Sequence, residues 1–173
     1  TSARIADDMS DVTRPEAART DLRLGREALI SAITAFIAPD AVSLPDIRAA
    51  LEAEIDRAGR DALLQLSERL AGAGADWTYY PGDPLARRIH QVLAHRFLQE
   101  GSTLHGVAHA DTVRGRPVVM FGNHLSYSDA NLLEVLLQQA GGDSLANRLT
   151  VIAGPKVYSS LKRRFSSLCF GTI

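Results

Sequence analysis

An imidazole and a carboxylate stand five residues apart at His124 and Asp129, with Ser126 and Ser128 between them and Asn123 immediately before. On a regular α-helix five residues amount to a rotation of about 140°, so the pair cannot meet as helix neighbours. They can meet where His124 lies on a turn and Asp129 opens the helix that follows. The carboxylate would then accept a hydrogen bond from one ring nitrogen and fix the tautomer, so that the other nitrogen acts as a base. Such a dyad needs no serine nucleophile when the substrate itself brings the hydroxyl. The plainer alternative is that Asp129 only caps its helix and His124 is a turn residue.

Other reactive side chains have more ordinary readings. His105 and His109 lie four apart with Asp111 just beyond, a set that a helix could gather around zinc in a metal-dependent hydrolase. Gly106 and the β-like Thr103-Leu104 argue against a helix there, no glutamate base stands between the histidines, and no metal is expected. His90 and His95, among Arg87, Arg88 and Arg96, are expected to pack or to be solvated. Cys169 sits between Leu168 and Phe170, where a thiol serves as a small buried hydrophobe rather than a nucleophile. Lys156, Lys162, Arg163 and Arg164 are candidates for a substrate phosphate or else plain surface charge. Arg163-Arg164 could equally meet an acidic carrier protein or anionic lipid heads.

The dyad needs elements to hold it. Residues 117–121 form a continuous apolar run suited to a strand buried on both faces, and His124 follows at once. A helix is expected over 128–139, then a strand over 149–153, a short helical stretch, and another strand starting at Ile173. Residues 103–107 read as a further short strand. Strand, turn, helix and strand make a βαβ unit, so the expected class is α/β with a largely parallel sheet. His124 would then stand where ligands meet the carboxyl ends of strands.

Upstream the pattern is helical. Residues 1–14 are polar and aperiodic. From Pro15 an apolar stripe runs through Leu22, Leu29, Ile33 and Phe36 until Pro39-Asp40 breaks it. A second helix is expected from Ser43, which can cap it, through Ile47, Leu51, Ile55, Leu66 and Leu70, ending at Gly72 and Gly74. Trp77, Tyr79 and Tyr80 form an aromatic turn whose rings read as core anchors. Asp83-Pro84 opens a third helix reaching Gln99. We therefore divide the chain into a helical N-terminal domain, 1–76, and an incomplete second domain, 77–173. The alternative role for residues 15–75 is a non-catalytic helical binding or assembly module.

Bulk properties narrow the class. With 46% hydrophobic and 23% charged residues, the 173-residue chain is a folded, water-soluble protein, neither disordered nor fibrous. The formal net charge of -1 provides no field that draws it to nucleic acid. Residues 111–173 carry seven basic against four acidic side chains, which suits an anionic substrate. A single cysteine fits a reducing cytoplasm. The longest mainly apolar stretch, 28–38, is far short of the ~20 residues that a bilayer span needs.

The run Asn123-His124-Leu125-Ser126-Tyr127-Ser128-Asp129 after an apolar strand resembles the first block of the glycerolipid acyltransferases, His, four residues, Asp. Residues 151–157 and 165–173 resemble the approach to the second block of that family. The layout from Trp77 onward is similar to the soluble, plastid-type glycerol-3-phosphate acyltransferases, in which a helical N-terminal domain precedes the catalytic one. The resemblance implies a transferase of phospholipid biosynthesis. It would move an acyl group from acyl carrier protein or acyl-CoA to glycerol-3-phosphate or lysophosphatidate, without a cofactor. His124 would be the base and Asp129 its carboxylate. Asn123, Lys156, Arg163 and Arg164 would lie near the substrate, with peripheral membrane contact allowed. The third block of the family, a Phe-Pro-Glu-Gly-Thr-Arg-like loop, is absent. The expectation is therefore of a fragment that is inactive alone, trimmed before Thr1 and ending inside the catalytic domain.

Overall fold

The computed structural model describes residues 25–37, 44–74, 76–126 and 128–173. The expectations for residues 1–24, for the Pro39-Asp40 break and for the Ser43 cap lie outside the described residues. Seven helices are described: α1 (Arg26–Ile37), α2 (Leu44–Gly72), α3 (Pro84–Phe97), α4 (Ala108–Thr112), α5 (Asp129–Gln139), α6 (Asp143–Ala146) and α7 (Leu161–Ser167). Two strands, β1 (Thr150–Val151) and β2 (Gly171–Thr172), and a 3-10 turn at Pro155–Tyr158 are the other elements among the described residues.

The stripes read from the sequence are the faces that pack. Leu29, Ile30 and Ile33 of α1 and Ile47, Leu51, Ile55, Leu66 and Leu70 of α2 are all buried. Burial of each such side chain stabilises the fold by about 1.5–3 kcal/mol. They share one core with Leu85, Ile89 and Leu93 of α3 and with Phe165, Leu168 and Phe170, so residues on either side of position 76 pack together. α2 is not the uninterrupted helix that its spacing implies: Gly59 takes φ 82°, ψ 173° and kinks it. A β-carbon there would be strained, and only glycine adopts this conformation freely. The helix ends where the glycines indicate. Gly74 has φ 82°, and a β-carbon on it would lie 2.3 Å from Cβ of Tyr158, so the site excludes any side chain.

α3 begins as its signature requires. Oδ1 of Asp83 accepts the N–H of Leu85 and of Ala86 at 2.9 and 3.1 Å, with Pro84 in the first turn. This helix then moors α5. Nε of Arg87 donates to Oε1 of the buried Glu134 at 2.5 Å, Gln91 adds a second donor at 3.0 Å, and the Arg87 guanidinium also reaches the carbonyls of Ala146 and Asn147.

The architecture is mixed α/β. β1 and β2 pair in parallel with Thr150 opposite Gly171 and Val151 opposite Thr172. Tyr80 bridges the other edge of β2 antiparallel, through bonds of 2.8 and 2.9 Å with Thr172. Two expected strands are not formed. Residues 103–106 are irregular and lead into α4, and residues 117–121 are extended but unpaired. In that run Val119 is 65% and Phe121 95% exposed. A strand depends on a neighbour that accepts its ladder bonds, and none of the described strands lies beside it. The aromatic turn also departs from expectation. Trp77 is 79% exposed and Tyr79 half-exposed. Tyr80 is the ring that packs, held by its bridge to Thr172 and by hydroxyl bonds to the backbone of Asp76. No helix among the described residues is long and apolar enough to cross a membrane.

Candidate functional site

His124 and Asp129 meet. Nδ1 of the imidazole lies 3.0 Å from Oδ2 of the carboxylate. The same oxygen accepts the backbone N–H of Leu125 at 2.7 Å and of Ser126 at 3.0 Å. Asp129 is the first residue of α5, and its side chain turns back over the preceding loop to hold it. The Ser128 side chain makes no cap bond, while Oγ of Ser126 takes the Ser128 N–H at 3.1 Å. The carboxylate that folds the turn is also the one that grips the imidazole, and it serves amides of the preceding loop rather than capping its own helix. Partial desolvation acts to raise the Asp129 pKa. The amide donors of Ser126 and Leu125, followed by His124, outweigh it and hold the carboxyl below its usual range. The His124 side chain is 71% exposed and that of Asp129 34%, so the ring is presented outward from a partly sheltered support.

The pair opens on a cavity of about 480 Å3. One wall is the loop of Gly122, Asn123, His124 and Ser126 with the start of α5, Asp129 to Asn131. The rest of the lining is Val151 to Gly154 with Val157, together with Arg163, Ser166, Ser167, Phe170 and Thr172. Of the residues singled out in the sequence, Asn123, His124, Asp129 and Arg163 share this space. Lys156 and Arg164 are not among its lining residues. The Arg164 guanidinium instead donates to the carbonyls of Tyr158 at 2.7 Å and Leu70 at 3.2 Å, which ties α7 to the end of α2. The Lys156 carbonyl takes the hydroxyl of Ser159 at 2.7 Å.

Sequence reasoning missed Asn131 and Glu134. Both lie on the buried face of α5, at 3% and 1% exposure. The available signal was a polar pair three apart, on the face of α5 that also carries Val135.

The other reactive groups are otherwise engaged. Nε2 of His105 lies 3.3 Å from the Thr103 hydroxyl, and Asp111 pairs with Arg114 at 2.6 Å. Among the described residues no three His, Cys, Asp or Glu side chains converge as a metal ion would need. The His90 ring stacks on Phe165 at 5.1 Å, and burial pushes its pKa down to about 4. Burial, reinforced by the carboxylates of Glu134 and Asp83, pushes the Cys169 thiol up, and its S–H donates to the Phe165 carbonyl at 3.2 Å. A thiol held neutral in this way is a poor nucleophile.

No family model, curated protein or solved structure matches the chain.

Proposed function

We propose that the chain carries the base of an acyl transfer from a thioester, acyl carrier protein or acyl-CoA, to a hydroxyl of glycerol-3-phosphate or lysophosphatidate. On this reading residues 77–173 are the first part of an α/β acyltransferase domain with a largely parallel sheet, and β1 and β2 are its described portion. The carrying observation is the 3.0 Å contact between His124 and Asp129 at the rim of a cavity.

The chemistry follows from the tautomer. With hydrogen on Nδ1, directed at Asp129, the ring has its lone pair on Nε2. Nε2 takes the proton of the acceptor hydroxyl as that oxygen attacks the thioester carbonyl carbon. Asp129 stabilises the imidazolium that results. The tetrahedral oxyanion collapses, the carbon–sulfur bond breaks, and the departing sulfur takes the proton from the imidazolium, which returns the ring to neutrality. Arg163 supplies positive charge within the same cavity for the acceptor phosphate. The reaction is placed in the cytoplasm, with peripheral contact at a membrane where the acceptor is a lysolipid.

The test is transfer from an acyl thioester to glycerol-3-phosphate by the full-length protein. His124→Ala should lower turnover by about 10²- to 10⁴-fold. A variant that keeps most of its turnover rejects the assignment.

A further inference from the structure

We propose that the cavity recognises an oxygen of the hydroxyl-bearing acceptor through the side-chain amide of Asn131. Asn131 lines the cavity with 3% of its surface exposed, and its Nδ2 meets no oxygen or nitrogen acceptor; the polar group beside the amide is the Cys169 sulfur, which is a weak acceptor. A buried donor left unmet is unfavourable by about 1–3 kcal/mol. The amide cannot turn to water, because it projects from the face of α5 that also buries Glu134 and Val135. Nearby hydroxyls are already committed: Ser167 donates to the Arg163 carbonyl at 2.9 Å, and Thr172 to the Ser167 carbonyl at 2.6 Å. What completes the site is an acceptor oxygen brought by a ligand.

That requirement sorts the two substrates. A methylene chain laid against Nδ2 would leave the donor unmet, whereas a hydroxyl or phosphate oxygen satisfies it. The part of the cavity lined by Asn131 therefore takes the oxygen-rich acceptor rather than the acyl tail. Which substrate lies there rests on the acyl-transfer reading, but oxygen recognition by Asn131 does not.

The experiment follows the Asn131 side-chain amide resonances of the full-length protein during titration with glycerol-3-phosphate, glycerol and inorganic phosphate, and sets wild type beside Asn131→Leu. Glycerol-3-phosphate should shift the resonances saturably, and of the two fragments the one that reproduces the shift identifies the recognised oxygen. Asn131→Leu should weaken binding about 10- to 100-fold, raise KM for the acceptor alike, leave KM for the acyl donor within about twofold, and keep or raise Tm. Asn131→Ala should show the same loss of acceptor binding if the leucine variant does not fold. Absent shifts with unchanged acceptor affinity in the variants overturn the proposal, as does an equal rise in both KM values with a lowered Tm. If the protein transfers no acyl group yet the amide shifts and the variants lose binding, the transferase reading falls and oxygen recognition stands.

Discussion

Oδ2 of Asp129 sits 3.0 Å from Nδ1 of His124 while also accepting two backbone N–H groups from the loop between them. One oxygen thus sets both the ring's tautomer and the path of the chain that carries the ring. Placement of the ring and local folding cannot be separated here by deleting the side chain.

The exchange Asp129→Asn separates charge from shape. It keeps an acceptor for the loop and removes the negative charge, so turnover should fall about 10²- to 10⁴-fold while the helix start is retained. The Asp129 carboxyl is depressed in the folded state, so its contribution to stability is complete above the ordinary value of 3.8 and disappears as pH falls through the lower folded value. Protection of the Leu125 and Ser126 amides, taken as exchange relative to the unstructured rate at each pH, should therefore hold above about pH 4 and fall below it in the wild type, with no such step in Asp129→Asn. A step of equal size in the variant would separate the loop from this carboxylate.

His90 should impose a second pH dependence at higher pH. Its folded value near 4 lies below the ordinary 6.5, so the unfolded chain binds a proton that the folded chain excludes. Stability is complete above pH 6.5 and declines as pH falls to about 4, by about 3 kcal/mol. Urea unfolding at pH 7 and pH 4 should show this loss in wild type and a smaller one, by that amount, in His90→Phe, which keeps a ring against Phe165. Equal losses in both proteins would place the proton elsewhere.

The neighbouring arginines should part company. Arg164→Met removes two donors to backbone carbonyls and should destabilise by about 1.5–3 kcal/mol, leaving acceptor KM intact in the fraction that folds. Arg163→Met should change stability by less than about 0.5 kcal/mol and raise acceptor KM about tenfold, in keeping with loss of a charged phosphate contact. Chemical denaturation beside steady-state kinetics reads both, and the reverse pattern would exchange their roles.

The helices and the dyad were legible because their signals are local. Period 3.6 stripes, the Asp83-Pro84 start and the terminal glycines of α2 each depend on residues within a turn or two of one another. His124 and Asp129 were legible for the same reason: a five-residue loop closed by one carboxylate is written within seven positions. What failed depended on distant partners. The apolar content of residues 117–121 says that the run can be buried, but its pairing depends on a neighbouring strand that no local pattern names. Gly59 was hidden because the apolar spacing continues across it. Asn131 was not singled out and Arg164 was offered to the substrate phosphate or to the surface, because a polar side chain carries no local mark of what it faces. Here one faces a cavity, and the other ends a helix ninety-four positions upstream.

The single thiol has a practical consequence. Sealed between α3 and α7 with its proton held tightly, Cys169 is shielded from alkylating reagents while those helices stay together. The speed at which iodoacetamide labels the native protein is thus a clock for the parting of that seam rather than a measure of sulfur reactivity. The molecule carries its own gauge of opening, placed just behind the wall of the cavity.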